Sequence, residues 1–168
     1  GLLENRRGDR LLALPDALMK SIVAGLNQET GQATKYVLRN CGLWWGKNFY
    51  ARFCEELSDY YQKGVADLSM IEFVKALQEC WRTHSWGVLT LNLDYQMQGF
   101  LVVEIKNSPF TVHPIQSNQP SGAMETGVLQ AFFSQLTGRD LTCTQISCES
   151  LGADCNRFVL GLENRLTS

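Results

Sequence analysis

The hydrophobic pattern of this chain changes its period at Trp86, and that change restricts the fold more than any other feature. Before Trp86, apolar residues recur every three or four positions, as on the buried face of a helix. After it they alternate, with Leu89, Leu91 and Leu93 on one face, as in a half-buried strand. A second such run covers residues 100–106 after a polar turn, so the pattern predicts a β-hairpin.

Helical segments lie on both sides of this hairpin. Pro15 suits the first turn of a helix, and Ser69 with Glu72 forms a capping box at the start of another. Gly31 and Gly138 mark two helix ends. The predicted helices cover residues 14–31, 32–61, 69–84 and 122–137.

A second hairpin follows the last helix, with β-type runs over residues 140–149 and 156–161. Four strands with helices grouped around them indicate an α+β fold, with helices packed on a four-stranded antiparallel sheet. We expect one domain over residues 14–161, an N-terminal arm over 1–13 and a polar C-terminal tail over 162–168.

Composition excludes several classes of protein. With 168 residues, 45% hydrophobic and 19% charged, the chain is typical of a single globular domain. Its 15 Lys and Arg against 17 Asp and Glu give a net charge of −2, which argues against a nucleic-acid partner. No apolar run approaches the ~18 residues that a transmembrane helix needs.

The 6 cysteines are too scattered for a secreted disulfide scaffold. Three of them, Cys41, Cys54 and Cys80, fall on apolar helical faces, where a free thiol behaves as a small hydrophobic group. This usage favours a reducing, cytoplasmic location.

Signatures of common enzymes are absent from the sequence. It contains no GxSxG, GxxxxGK[ST], GxGxxG or HExxH motif, so a non-catalytic role is favoured over an enzyme. His84 and His113 are its 2 histidines, and neither lies beside an evident nucleophile in the sequence. His84 is the better functional candidate because it ends an aromatic helix face just before Trp86.

Aromatic residues supply the candidate ligand site. At helical spacing they either form plain core or line a cavity between helices and sheet for a flat, apolar ligand. Trp44 and Trp45 point about 100° apart on a helix, so the pair reaches toward a second partner such as a ligand or subunit. The candidate ligand-binding residues are Trp44, Trp45, Phe49, Phe53, Trp81, His84, Trp86 and Phe132.

The longest predicted helix contains Gly42 and Gly46 among these aromatic residues. Glycine within a helix indicates that another element, or a ligand, approaches the backbone closely. The apolar stripe predicted for this helix is Ala33, Val37, Cys41, Trp44, Trp45, Phe49, Phe53 and Leu57.

Cys148 and Cys155 lie at the mouth of the second hairpin. Opposed residues of an antiparallel pair have Cβ atoms ~4.5–5.5 Å apart, so the two thiols can share a metal, form a disulfide or remain reduced. Asp154, Glu149 and His113 are further candidate metal donors, but none is at a diagnostic spacing.

The C-terminal half contains a strand that ends at Asn107-Ser108, a glycine-containing turn at 121–127, and a closing pattern of Cys148, Gly152, Cys155 and Phe158. These motifs resemble the 4-vinyl reductase (4VR) domain family. The resemblance covers roughly residues 84–161. It implies the fold of subunits of the TRAPP vesicle-tethering complex, dimerisation through helices, and a small-molecule pocket between helices and sheet.

The resemblance also implies a zinc ion, held by the hairpin cysteines and a glutamate three residues before the first. Cys148 and Cys155 match the cysteines, whereas the neutral Gln145 occupies the glutamate position and the preceding helix has no cysteine. Both departures argue against the metal in this chain.

Three hypotheses about function follow. In the leading one, the domain binds a hydrophobic small molecule, either an aromatic compound or a tetrapyrrole intermediate, as an accessory factor in pigment biosynthesis or photosystem assembly. The alternative is a homodimeric scaffold with a filled core and no ligand. The third is an enzyme with a redox-active cysteine pair.

Overall fold

Helices and strands follow the predicted order in the computed structural model, which describes residues 2–111 and 121–166. The elements are β1 (Leu3–Glu4), β2 (Arg10–Leu11), α1 (Asp16–Thr30), α2 (Thr34–Tyr61), α3 (Met70–Thr83), β3 (Val88–Asn92), β4 (Leu101–Lys106), α4 (Ala123–Thr137), β5 (Thr142–Ser147), β6 (Asn156–Gly161) and α5 (Glu163–Leu166).

The main sheet has four antiparallel strands in the order β3-β4-β6-β5. Both predicted hairpins are present, and β4 pairs with β6 to join them. Val103 lies opposite Phe158 in this pairing, and both side chains are fully buried. The predicted fold class, helices on a four-stranded antiparallel sheet, is therefore confirmed.

Helices α2 and α4 pack with their backbones in direct contact. A Cβ atom at Gly42 would overlap the Met124 carbonyl oxygen, and one at Gly46 would lie 2.7 Å from the Val128 carbonyl oxygen. On α4, a Cβ atom at Gly127 would overlap the Arg39 carbonyl oxygen of α2. These three glycines define what we call the glycine seam.

The seam corrects the predicted buried face of α2. Val37 and Trp44 are 36% and 72% exposed, and Ala33 and Cys41 are also exposed. The face that packs inward is Thr34, Leu38, Gly42, Gly46, Phe53 and Leu57. Apolar periodicity predicted the wrong face because the buried positions of α2 that contact the α4 backbone are glycines. A periodicity analysis assigns burial to large apolar side chains instead.

The predicted N-terminal arm contains two short strands. Strands β1 and β2 pair across a turn in which Gly8 has a φ of 82°. Arg7 pairs with Glu55 and Asp9 pairs with Arg52, so the segment is held against α2 by ion pairs. In the predicted polar tail, residues 163–166 form the single turn α5.

Within the described part of the chain, none of the helices combines the length and the apolar character that crossing a bilayer requires. The hydrophobic core lies between α2, α3, α4 and the sheet. Its most deeply buried side chains include Leu77, Leu89, Val103, Ile105, Phe132 and Phe158.

Candidate functional site

Six of the predicted ligand-binding residues lie together between the helices and the sheet. Trp45 contacts Trp86 edge-on with ring centroids 4.8 Å apart, and Phe49 lies 5.4 Å from both Trp86 and Phe132. The Trp45–Trp86 and Phe49–Trp86 contacts are edge-to-face, which is a favoured geometry for aromatic pairs. The aromatic cluster, as we call it, consists of Trp45, Phe49, Phe53, Trp81, Trp86, Phe110 and Phe132.

Phe110 is the member of this cluster that the sequence did not predict. Its ring lies 5.8 Å from Trp45 and 6.5 Å from Trp86. It follows Pro109 just beyond β4, where the predicted strand ended and no periodic pattern remained. The sequence signal that could have identified Phe110 is its position directly after Asn107-Ser108-Pro109, which ends the strand.

His84 lies at the margin of the aromatic cluster, and Trp44 lies outside it. The exposed His84 ring stacks on Trp86 at 4.6 Å, and its Nδ1 is 2.8 Å from the Cys80 carbonyl oxygen. Trp44 points away from the cluster into solvent, where the Lys47 ammonium lies over its ring. The structure therefore places His84 beside the aromatic cluster but separates Trp44 from it.

Two surface clefts formed by described residues lie away from the aromatic cluster. One is between the N-terminal strands and α2, and the other is between α3 and β3. Within the aromatic cluster, the described rings contact one another directly, and Trp45, Phe49 and Trp86 are half-buried.

A group of polar side chains lies where β4 ends, α4 begins and the second hairpin turns. Its deepest member is Glu125, which is 2% exposed in the first turn of α4. Ser108 Oγ donates a hydrogen bond of 2.6 Å to Glu125 Oε1, and the backbone N–H of Phe110 donates to Ser108 Oγ. The segment that carries Phe110 therefore also contacts Glu125.

Burial raises the pKa of Glu125 to about 8; the Ser108 hydrogen bond lowers it, and the nearby Glu149 and Cys148 raise it. At neutral pH the side chain is therefore mainly an uncharged carboxylic acid. Sequence reasoning missed Glu125 because an acid in the first helical turn is ordinarily a solvated, dipole-favoured residue.

Cys148 lies beside Glu125 in this polar group. Its Sγ accepts from the Ser121 backbone N–H at 3.5 Å, and it lies 3.4 Å from Ser121 Oγ and 2.9 Å from Ser150 Oγ. Burial by itself raises the pKa of the Cys148 thiol, but the hydrogen bonds from Ser121 and Ser150 outweigh it, so the pKa lies below its ordinary value. We call Ser108, Ser121, Glu125, Cys148 and Ser150 the polar cluster.

Gln145 has a structural role next to this cluster. Its Oε1 accepts from the Gly122 backbone N–H at 2.9 Å, which satisfies a free donor at the start of α4. Its Nε2 donates to Asn156 Oδ1, and Asn156 in turn donates to Glu149 Oε2 at 2.8 Å. Gln145, at the position where the family resemblance implies an acidic metal ligand, therefore joins α4 to the hairpin through hydrogen bonds.

These residues do not fit a zinc site. Cys148 and Cys155 are both buried, but the neighbours that contact Cys148 are hydroxyl and N–H donors rather than ligands. Residues 2–111 and 121–166 contain no group of three or more His, Cys, Asp and Glu side chains placed to hold a metal. His113 lies outside the described residues, and all 6 cysteines are free of disulfides.

Comparison with known structures supports the fold. The phenol-responsive sensory domain of the transcription activator PoxR, crystallised with phenol, matches with a TM-score of 0.72 at 14% identity, covering 99% of this chain and 89% of that one. A trafficking protein particle complex subunit 3 from Naegleria fowleri, covalently bound to palmitic acid, has a TM-score of 0.66 at 11% identity, covering 88% and 92%.

A vinyl-4-reductase family protein from Methanocaldococcus jannaschii is similar with a TM-score of 0.56 at 13% identity, covering 89% of this chain and 82% of that one. The sequence has no match among curated proteins. The family model of the 4-vinyl reductase domain matches residues 101–162, which include β4, α4 and the second hairpin. Residues 101–162 therefore match the model of the 4-vinyl reductase domain family, and the chain has the fold of the trafficking-complex subunit that the sequence motifs predicted.

Proposed function

We propose that this domain binds a small hydrophobic molecule with an aromatic ring and does not transform it chemically. The observation that carries the proposal is the meeting of the aromatic cluster and the polar cluster at one short segment, Ser108 to Phe110. Apolar walls with a few convergent polar groups are the usual composition of a small-molecule site.

The structural comparisons support the same proposal. The PoxR domain was crystallised with phenol and the trafficking subunit carries palmitic acid, so related folds hold hydrophobic molecules. The free state of the 6 cysteines supports the reducing, cytoplasmic location expected from the sequence.

Two ligand sizes are compatible with this proposal. One is a single-ring aromatic compound, and the other is a tetrapyrrole intermediate, which would make the protein an accessory factor in pigment biosynthesis or photosystem assembly. A tetrapyrrole needs the half-buried Trp45, Phe49 and Trp86 to separate, whereas a single ring needs a smaller rearrangement of the cluster.

Tryptophan fluorescence tests the proposal and distinguishes the two sizes. We expect saturable quenching when the full chain is titrated with phenol or with protoporphyrin, and the tighter probe identifies the size class. Trp86→Phe should reduce the quenching amplitude, whereas Trp44→Phe should leave it unchanged, because Trp44 lies outside the aromatic cluster. Absence of saturable quenching with both probes would contradict the proposal.

A second candidate function, the homodimeric scaffold, is favoured by a separate observation. Large apolar side chains of α1 and α2 are exposed in stripes at helical spacing, an arrangement common at protein–protein interfaces. The apolar stripes, as we call them, are Leu14, Leu18 and Ile22 before and on α1, and Val37 and Trp44 on α2. Dimerisation through these stripes is compatible with ligand binding, since the aromatic cluster lies on the inner side of α2.

A further inference from the structure

Glu125 carries a buried polar atom that nothing in the described structure satisfies. The side chain is 2% exposed, and its Oε2 has no hydrogen-bond partner among the described residues. Thr111 Oγ1, three residues along the chain from Ser108, is also buried without a partner there. Buried polar groups of native proteins are nearly always hydrogen-bonded, so an unpartnered one calls for a functional explanation.

The hydrogen bonds around Glu125 place its proton. Ser108 Oγ accepts from the Phe110 backbone N–H and donates its own hydrogen to Glu125 Oε1. Because Oε1 is an acceptor in this arrangement, the proton of the uncharged acid resides on Oε2. The unpartnered atom is thus a buried O–H donor that lacks an acceptor.

The surroundings of this donor indicate the chemistry of the missing acceptor. The charges that act on Glu125 come from Glu149 and Cys148, both negative when ionised, and no cation is among the described groups that interact with it. An anionic ligand would therefore be repelled. The backbone of Phe110 is hydrogen-bonded to Ser108, and its ring lies in the aromatic cluster, so the segment that contacts Glu125 also carries an aromatic side chain.

The geometry points to Glu125 as the group that recognises the ligand, through a hydrogen bond from Oε2–H to the oxygen of an uncharged phenol or aryl ketone. This inference rests on the proposed function, because it assumes that an aromatic molecule enters the site. It adds the requirement that the ligand carry an acceptor oxygen and no negative charge.

Matched probes and variants test this recognition. Phenol and toluene have nearly the same shape, but only phenol carries an oxygen, and acetophenone offers an acceptor without an O–H. Isothermal titration of the full chain should show phenol and acetophenone binding about tenfold more tightly than toluene. Glu125→Met, which removes the donor, should weaken both oxygen-bearing probes about tenfold and leave toluene unchanged. Glu125→Gln, which retains an N–H donor, should preserve most of the affinity.

Specific outcomes would overturn the inference. Unchanged phenol affinity in Glu125→Met would remove Glu125 from recognition while leaving the proposed function intact, because phenol would still bind. Failure of every probe, toluene included, to bind the native chain would instead defeat the proposed function for single-ring ligands and the inference with it.

A pH titration keeps the inference testable if Glu125→Met does not fold. The acetophenone affinity of the native chain should fall above about pH 8, where the donor is lost, and that of Glu125→Gln should not. Cys143, Cys148 and Glu149 are the other titratable groups that interact with Glu125, and all three are retained in both proteins. The same pH dependence in both proteins would overturn the inference.

Discussion

Glu125 should make the stability of the folded chain depend on pH. Its pKa is raised from 4.5 to about 8 by burial, so between these values the folded chain holds a proton that the unfolded chain has released. This contribution to the free energy of unfolding is fully present below about pH 4.5 and is lost as the pH rises through the folded pKa, by up to ~1.4 kcal/mol per pH unit.

Urea unfolding of the native chain and of Glu125→Gln, from about pH 5 to about pH 8, measures this contribution. Stability of the native chain should fall toward the upper end relative to Glu125→Gln, and the exposed-site control Glu29→Gln should follow the native curve. Parallel curves for native chain and Glu125→Gln would show that Glu125 is ionised in the folded state.

The burial of Glu125 marks the limit of sequence reasoning at the scale of single residues. A glutamate in the first turn of a helix has the same appearance in sequence whether it is solvated or enclosed. Its enclosure depends on Ser108 and the hairpin at Cys148, which are 17 and 23 positions away in the numbering of the chain. Proximity of that kind is set by the tertiary fold and has no local signature.

At the scale of elements, the glycine seam should tolerate no side chain. Gly42→Ala would force a methyl group into the Met124 carbonyl oxygen and should destabilise the fold by roughly 1–3 kcal/mol or more, as overpacked cores do. Gly25→Ala on α1 is the matched control, because nothing lies within 4 Å of its Cβ position. That control should gain about 0.5–1 kcal/mol from helix propensity.

Thermal and urea unfolding of the two variants provide the measurement. Equal or increased stability of Gly42→Ala would mean that α2 and α4 separate readily, contrary to the close backbone contact described here. A loss in Gly25→Ala would instead show that α1 is packed more tightly than its exposed surface indicates.

The elements themselves were well predicted because their ends carry local signals. The Ser69–Glu72 capping box is formed as expected, and Gly138 ends α4 in a left-handed conformation. The inward face of α2 was predicted wrongly in its first half, since apolar periodicity favoured Val37 and Trp44 over Gly42. Apolar periodicity indicates which large side chains are buried, but it does not detect a helix face that is buried through backbone contact at glycines.

At the scale of the whole molecule, the exposed apolar stripes should govern self-association. Trp44→Glu or Ile22→Glu places a charge on a stripe and should convert a dimer into a monomer in analytical ultracentrifugation. Met97→Glu is the matched control, because Met97 is 96% exposed on the β3–β4 connection and belongs to neither stripe. A native chain that sediments as a monomer would contradict the dimer.

The assembly of the candidate site also belongs to this scale. The aromatic members on α2 and α3 could be named from helical spacing, but the polar cluster draws on β4, α4 and the hairpin turn, which only the fold brings together. Motif resemblance reached the correct part of the chain, since residues 101–162 match the family model. It did not identify the polar contacts of Glu125 and Cys148.

The glycine seam couples the polar cluster, through Glu125 on α4, to the exposed apolar stripe on α2. Gly127 lies two positions after Glu125 on α4, and its partner backbone on α2 leads directly to Trp44 on the outer face. Because no side chain lies between the two backbones at these glycines, a displacement of α4 cannot be absorbed there by rotamer changes. If a ligand bound at Glu125 shifts α4, α2 should therefore move with it, and the exposed face of α2 that carries Trp44 should change position.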